Sequence, residues 1–146
     1  MRVYLDNCCY NRPYDDQTQL RISLESQAKL NIQTRIKNGE IELATSYMTS
    51  FENSENPYEM RRNIILDFQE RNNTVHLSKD SDEAVNKKAL EREATGVKHK
   101  DACHIACAIY TESDYLITTD DRLLKYKTDE IRIVNPIEFI QETEED

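Results

Sequence analysis

Short apolar runs alternate along this chain with longer stretches in which apolar residues recur at helical spacing. Five of the runs are typical of buried strands because their apolar positions are nearly continuous, at residues 2–6, 41–44, 74–77, 115–118 and 131–134. Strands that alternate with helices need right-handed crossovers, which place the helices on the two faces of a parallel sheet. The pattern therefore predicts an α/β fold with a central, mostly parallel sheet of about five strands.

Helical periodicity occupies the segments between these runs. Residues 17–37 carry an apolar residue at every fourth position, and we expect that stripe to be buried: Leu20, Leu24, Ala28, Ile32 and Ile36. The helix expected at residues 57–69 has a similar stripe of Met60, Ile64 and Phe68. Asp16 is a suitable N-cap for the first helix and Thr45 or Ser46 for a short helix that carries Glu52. Other helices are predicted at residues 81–95, 99–110, 122–124 and 136–140, and a loop at 11–16.

Length and composition limit the class of protein. A chain of 146 residues with two glycines and three prolines predicts one domain of mostly regular structure. We expect this domain to span residues 1–140, followed by a frayed acidic tail at 141–146. No apolar stretch approaches the roughly 20 residues of a membrane span, so the expected location is the cytoplasm.

The net charge of −9 argues against a broad nucleic-acid-binding face. Affinity for a duplex normally comes from many contacts of Lys and Arg with phosphates. The charge does not exclude a nuclease, because acids around a cation add negative charge that the bound metal offsets.

The four cysteines are expected to be free thiols, because nothing in the sequence suggests secretion. Cys103 and Cys107 are one helical turn apart with His104 between them, a spacing that could also suggest zinc. Packing is the preferred interpretation, since cysteines replace small apolar residues on closely packed helices. Cys8 and Cys9 form no CxxC motif, which argues against a redox role.

Four acidic residues close an apolar run or open the next helix: Asp6, Glu52, Asp101 and Asp120. The carboxyl ends of parallel strands form the edge of a sheet where ligands bind, so the four are expected to lie close together. Carboxylates gathered at one edge repel each other unless a divalent cation holds them. The expected chemistry is metal-dependent hydrolysis of phosphodiesters.

Each acid also has a simpler interpretation as a helix cap or a solvated surface acid. For Asp6 a cap is not expected, because Pro13 and polar residues follow it rather than a helix. Glu52 is expected to face inward because it follows Met48 and Phe51. Asp121 is expected to cap the helix after Asp120 or to act through water.

Taken together, four segments resemble the acidic motifs of the PIN-domain family. They are residues 5–7 (Leu-Asp-Asn), 46–52, 100–106 (Lys-Asp-Ala-Cys-His-Ile-Ala) and 117–120 (Ile-Thr-Thr-Asp), and they occur in the family's order and at its usual spacing. The likeness covers nearly the whole chain, and within the family it is similar to the compact ribonucleases of VapC-type toxins. The resemblance implies a three-layer α/β/α sandwich, an endoribonuclease that uses Mg²⁺ or Mn²⁺, and a cognate antitoxin as partner.

The resemblance also implies roles for individual residues. The catalytic and metal-binding set would be Asp6, Glu52, Asp101 and Asp120. Thr118 matches the family's supporting hydroxyl, and Asn7 stands where family members often carry Thr or Ser. Three cations that flank the acids are candidates for binding RNA phosphates: Arg12, Lys98 and Lys100. The alternative is that they are ordinary solvated charges. A homodimer is expected by analogy, with candidate interface residues Tyr10, Tyr14 and Tyr58.

Two other classes of function also fit parts of the sequence. A binding module with little or no catalysis could use its acidic edge to hold a basic segment of a protein partner. A phosphotransfer or receiver-like domain also sets aspartates at strand ends, but it needs a Lys at the end of a late strand. The sequence has no such Lys, so this class is disfavoured.

Overall fold

The computed structural model describes residues 1–144 and has one five-stranded sheet at its centre. The strands are β1 (Arg2–Leu5), β2 (Glu42–Ser46), β3 (Asn73–Leu77), β4 (Tyr115–Ile117) and β5 (Arg132–Val134). They lie in the order β3-β2-β1-β4-β5, and every pairing is parallel. The predicted α/β fold with a five-stranded sheet is confirmed.

Eight α-helices connect the strands and flank the sheet. They are α1 (Asn7–Asn11), α2 (Leu20–Lys37), α3 (Tyr47–Ser54), α4 (Glu59–Asn72), α5 (Asp82–Glu93), α6 (His99–Tyr110), α7 (Asp121–Leu124) and α8 (Pro136–Thr143). Two 3-10 turns lie at Arg12–Tyr14 and Lys79–Ser81. Across residues 1–144, no helix combines the length and the apolar character that crossing a bilayer requires.

Alternate residues of the strands enter two separate apolar cores, one on each face of the sheet. Val3 and Leu5 of β1 pack with buried residues of α2, α4 and α8. Tyr4, between them, points to the opposite face and packs with α5, α6 and α7. Because both faces are covered by helices, the chain forms the three-layer α/β/α sandwich that the resemblance implies.

Local signals in the sequence fix several helix ends. Ser46 and Thr49 form a capping box at the start of α3: the Ser46 hydroxyl accepts the Thr49 N–H at 3.3 Å, and the Thr49 hydroxyl accepts the Ser46 N–H at 3.1 Å. Gly39 follows α2 with φ of +76°, and Gly96 follows α5 with φ of +103°. Only glycine adopts such angles without strain, so both helices end close to where the sequence predicts.

The buried face of α2 differs from the predicted stripe. Leu20 and Leu24 are 74% and 44% exposed, although Ile32 and Ile36 are buried as expected. The first half of the helix instead buries polar residues, namely Glu25, Ser26 and Lys29. Glu25 accepts hydrogen bonds from Arg12, and the Lys29 ammonium lies over two aromatic rings. These contacts let charged residues occupy core positions that a hydrophobicity pattern assigns to solvent.

The stripe predicted for α4 is wrong in the same way. Met60 and Ile64 are 79% and 53% exposed, and only Phe68 of the three is buried. Ile65 and Gln69 are the other buried residues of this helix. The helix is therefore rotated relative to the prediction, and two large apolar side chains lie on its outer face.

The segment after β1 is helical, where the sequence predicts a loop. Helix α1 begins directly after Asp6, and the 3-10 turn that follows accepts Pro13 because an N-terminal turn needs no N–H there. Asp16 caps no helix. Its carboxylate accepts the Thr18 N–H at 3.0 Å in a turn, and α2 begins later, at Leu20.

The closing helix α8 continues beyond the predicted end at Ile140. It reaches Thr143, and Glu142 within it pairs with Arg132 and accepts a hydrogen bond from Tyr115 at 3.2 Å. These contacts with β4 and β5 hold a segment that the sequence assigns to a frayed tail. The last two residues of that tail, 145–146, lie outside the described residues.

Candidate metal and active site

The strand order creates a switch point between β1 and β4 at the centre of the sheet. From β1 the chain winds outward through β2 and β3, and then returns to β4 on the other side. In the register, Leu5 lies opposite Ile117, so both strands end at the same level. Ligands of open parallel sheets bind outside the carboxyl ends of the strands at such a point. Asp6 follows one of these strands and Thr118 the other.

Asp6 is held in place by both neighbouring segments. Its backbone N–H continues the ladder by donating to the Ile117 carbonyl at 3.0 Å. One carboxylate oxygen, Oδ1, accepts the Asn7 N–H at 2.7 Å, which makes Asp6 the N-cap of α1. The other, Oδ2, accepts the Thr118 hydroxyl at 2.9 Å. Asp6 thus caps a helix, contrary to the prediction, and also presents a fixed carboxylate at the sheet edge.

Glu52 is brought to the same edge by the first turns after β2. Its side chain is 8% exposed, and its carboxylate accepts a hydrogen bond from Nε2 of His104. Phe51, which the sequence places inside, is 59% exposed, so the inward orientation of Glu52 has another cause. That cause is the buried imidazole, because a buried His–carboxylate pair satisfies the polar atoms of both partners.

His104 is the centre of a buried hydrogen-bond chain. Its Nδ1 is 2.8 Å from the Tyr4 hydroxyl, which is 2.7 Å from the Ser46 hydroxyl. Its Nε2 is also 3.9 Å from Oδ1 of Asp6. Burial lowers the pKa of His104, but the hydrogen bond to Glu52 and the negative charges of Asp6 and Glu52 outweigh it, so the pKa is raised overall.

Asp101 and Asp120 complete the acidic edge. Asp101 lies in the first turn of α6 and Asp120 immediately before α7, where its carboxylate accepts the Arg122 N–H at 2.9 Å. Burial raises the pKa of Asp101, and the charges of Asp120 and Asp6 raise it further. Arg122 and His104 offset part of this effect by lowering the pKa.

The four acids line one open depression of about 370 Å³. Its wall also contains His104, Asn7, Cys8 and two cations, Lys100 and Arg122. The Lys100 ammonium is 3.8 Å from Glu52, and the Arg122 guanidinium is 3.4 Å from Asp120. Cations therefore reach the depression from two sides of the acidic cluster.

The donor atoms suit a divalent cation. One ligand atom each from Asp6, Glu52 and His104 lie within 4.8 Å of one another. Oxygen donors are the ligands that Mg²⁺ prefers, and the imidazole nitrogen beside them is already occupied by Glu52. Asp101 and Asp120, on the same depression, supply further oxygen atoms near this group.

Of the three supporting residues predicted from the sequence, Thr118 and Asn7 contact the acids of the depression and Asp121 does not. The Thr118 hydroxyl donates to Asp6 and accepts the Asp120 N–H at 3.1 Å, so it links two of the acids. Asn7 lines the depression and donates its N–H to Asp6. Asp121, in contrast, pairs with Arg21 at 2.7 Å and does not cap α7; Asp120 does.

Of the three candidate phosphate-binding cations, Lys100 lies at the depression and the other two do not line it. Arg12 donates to the buried Glu25 at 2.8 Å and to Asp15 at 3.2 Å, so its charge is already used in the packing of α2. Lys98 lines a neighbouring cleft. Among the candidate interface tyrosines, Tyr10 is buried, which excludes it from a surface, while Tyr14 and Tyr58 are exposed.

All four cysteines are free thiols, as predicted. Burial raises the pKa of Cys103 to about 11 and that of Cys107 to about 12, which leaves both as unreactive thiols. Within residues 1–144 neither belongs to a group of three or more metal donors close enough for one ion. Cys8 lies at the depression, with its sulfur 3.4 Å from Asp6 and 3.3 Å from Thr118.

His104 is a site residue that the sequence does not single out beside the acids. Its position between Cys103 and Cys107 suggests a zinc ligand instead. A usable signal was present: His104 follows Asp101 by three positions on a helix, which places both on neighbouring parts of one face. A histidine on an otherwise apolar, buried helix needs a polar partner, and the nearby acids are the available ones.

Comparison with known proteins supports the fold. No family model matches the sequence, and no curated protein matches it. A solved structure, VapBC2 from Rickettsia felis bound to a DNA fragment from their promoter, matches with a TM-score of 0.56 at 15% identity. The match covers 92% of this chain and 98% of that chain. At this identity the similarity supports the fold alone, and it agrees with the three-layer α/β/α architecture that the resemblance implies.

Proposed function

We propose that this protein is a metal-dependent endoribonuclease that hydrolyses RNA phosphodiester bonds, and that it is the toxin of a toxin–antitoxin pair. The observation that carries the proposal is the convergence of Asp6, Glu52, Asp101, Asp120 and His104 on one depression at the switch point of the sheet. Asp6, Glu52 and Asp120 come from separate segments of the chain, and Asp101 and His104 come from neighbouring turns of α6. A fold has no structural need for so many acids at one edge, because their mutual repulsion destabilises it.

Mg²⁺ or Mn²⁺ is the proposed cofactor, held by Asp6 and Glu52 with Asp101 and Asp120 close by. Such an ion, when bound, stabilises negative charge on a phosphodiester and favours attack by water. The protein's own part is to keep the donors oriented: Thr118 and the Asn7 N–H fix Asp6, and His104 fixes Glu52. Fixed donors need no rearrangement during the reaction, which lowers its barrier.

Two cations at the depression are suited to binding the substrate. Lys100 and Arg122 are exposed and lie beside Glu52 and Asp120, where they would contact the phosphate oxygens on either side of the cleaved bond. Arg12 is not available to bind the substrate, because its guanidinium is paired with Glu25. An RNA substrate also fits the cytoplasmic location expected from the sequence.

The antitoxin partner and the homodimer belong to the proposal as well. The matching solved structure is a VapBC2 complex with promoter DNA, and an antitoxin is the partner that this similarity suggests. Tyr14 and Tyr58, which both stack on Arg61, are the remaining candidates among the predicted interface residues. Exposed aromatic and arginine side chains are common in protein interfaces.

A second candidate function is a binding module without turnover. It rests on the same acidic depression, which could hold a basic side chain of a protein partner in place of a metal. The two functions differ in one measurable property, because only the nuclease needs a divalent cation for activity.

The test is cleavage of a labelled RNA pool by the purified, partner-free protein with Mg²⁺, with Mn²⁺ and with EDTA. The proposal expects cleavage with at least one metal, none with EDTA, and loss of cleavage in Asp101→Asn. Asp80→Asn is the matched control, since Asp80 is exposed on the 3-10 turn after β3 and does not line the depression. Metal-independent cleavage, or full activity in Asp101→Asn, would contradict the nuclease, and a folded protein inactive with every metal would favour the binding module.

A further inference from the structure

A second concave surface adjoins the acidic depression. It is a cleft of about 480 Å³ between the turn that joins α5 to α6 and the segment that includes α7. Asp101 and Arg122 line both the cleft and the depression, so the two are continuous. Its volume is within the range of ordinary ligand sites.

The cleft is basic, although the protein as a whole carries a net charge of −9. Four cations line it, Lys98, Arg122, Lys125 and Lys127, against the single acid Asp101. Lys98, Lys125 and Lys127 are exposed, and none makes an ion pair with any residue in the described part of the chain. Nearby cations outside the cleft have an acidic partner: Lys88 and Arg92 both pair with Glu130. The positive charge of the cleft is therefore concentrated and available.

An aromatic ring also lines the cleft and is fixed in position. The Tyr126 hydroxyl is 2.9 Å from the Thr95 hydroxyl and accepts a hydrogen bond from Arg92 at 3.3 Å. Both contacts tie the segment after α7 to the end of α5. A positively charged groove with a fixed aromatic ring is the combination with which proteins bind single-stranded nucleic acid, because the cations follow the backbone and the ring stacks on a base.

We propose that this cleft binds the backbone of single-stranded RNA on one side of the bond that is cleaved. The inference rests on the proposed function for the identity of the bond, but the binding itself does not depend on catalysis. A strand seated on Lys125 and Lys127 passes Arg122 and arrives at Asp101, so the cleft presents the next phosphodiester to the acidic depression. An acidic peptide would satisfy the charge, but it would make no use of the continuity between the cleft and the acidic site.

The test is binding of a fluorescent single-stranded RNA of about 10 nucleotides, within the usual site size, measured by anisotropy in EDTA so that no cleavage occurs. The variant is Lys125→Gln/Lys127→Gln, and the matched control is Lys37→Gln/Lys87→Gln, which removes the same charge from exposed positions outside the cleft. Circular dichroism of both variants checks the fold.

The cleft variant is expected to bind at least tenfold more weakly than the control. The slope of log affinity against log salt should fall by about 1.4 in magnitude, since each phosphate contact on a single strand contributes about 0.7. Equal affinity and equal slope in the two variants would overturn the proposal. So would a polyglutamate peptide that binds through Lys125 and Lys127 when the RNA does not, since the cleft would then be a site for acidic peptides.

A cleavage assay separates this proposal from the proposed function. The cleft variant should cleave a dinucleotide as the control does, because a dinucleotide does not reach the cleft, but it should cleave the longer RNA more slowly. Equal loss on both substrates would overturn the proposal. RNA binding that needs Lys125 and Lys127, in a protein that cleaves nothing with any metal, would support the cleft and contradict the nuclease.

Discussion

The carboxylate of Glu52 owes its position to residues that do not touch solvent. Ser46, Tyr4 and His104 form a buried chain that ends on its Oε1 atom. Because Nε2 of His104 faces a carboxylate, it carries a proton and donates, which leaves Nδ1 to be satisfied by Tyr4. Partners of this kind orient metal ligands, and their loss typically costs about 10- to 100-fold in metal affinity or activity.

Tyr4→Phe tests this chain. The change removes the hydroxyl that contacts Nδ1 of His104 without reshaping the core, and we expect Mn²⁺ affinity and RNA cleavage to fall about 10-fold or more. Tyr115→Phe is the control, because it removes a hydroxyl on the neighbouring strand that contacts Glu142. Calorimetric Mn²⁺ titration of both variants is the measurement. Equal affinity in the two variants would show that Tyr4 has no part in orienting the site.

The four acids can be identified from the sequence because each one follows a short apolar run or begins the next helix. A short apolar run followed by Asp or Glu marks a strand end, and strand ends of a parallel sheet meet at one edge. His104 follows no strand end; its signal is its position three residues after Asp101 on an apolar helix, and its partners Tyr4 and Glu52 are set by tertiary contact. Arg12 shows the opposite error: its proximity to Asp6 in the sequence suggested substrate binding, yet its partner is Glu25, on α2.

Helix α2 shows why the sequence predicts the extent of a helix better than it predicts which face of the helix is buried. Its extent follows from helix-forming residues and from Gly39, and both are local. Its orientation depends on Glu25 and Lys29, whose burial is possible only with Arg12 and the rings of Tyr10 and Phe68 in place. No local pattern contains that information, so the apolar residues Leu20 and Leu24 were assigned to the wrong side.

Lys29 gives α2 a measurable pH dependence. Burial lowers the pKa of Lys29 from 10.5 to about 8, a difference that corresponds to a cost of about 3 kcal/mol for the buried charge. The cost is present in full below about pH 8. It disappears as the pH rises towards 10.5, because the folded protein releases the proton there while the unfolded chain still holds it.

We therefore expect Lys29→Met to be more stable than the wild type by up to about 3 kcal/mol near pH 7, with the gap closing as the pH approaches 10.5. Urea unfolding at both pH values measures it. Lys87→Met, an exposed substitution on α5, is the control and should show no such change. A gap of the same size at both pH values would mean that Lys29 is not a buried charge.

In the folded protein, acidic and basic side chains line separate neighbouring surfaces, which the net charge of −9 does not reveal. Acids collect at the switch point between β1 and β4, and a cluster of cations lies directly beside them. The alternation of strands and helices predicts the layers and the parallel sheet. The strand order, and with it the position of a basic cleft beside an acidic depression, depends on packing between distant segments, whereas the net charge argues only against a broad nucleic-acid-binding face.

Direct measurement of Mn²⁺ binding tests the central claim, that the acidic depression is a divalent-cation site. Isothermal titration calorimetry would compare the wild type with Asp6→Asn, which keeps the shape of the side chain and removes its charge, and with Asp80→Asn as control. We predict saturable Mn²⁺ binding in the wild type and the control, and at least a 10-fold loss of affinity in Asp6→Asn. Absence of Mn²⁺ binding in the wild type, or equal binding by Asp6→Asn, would contradict the account.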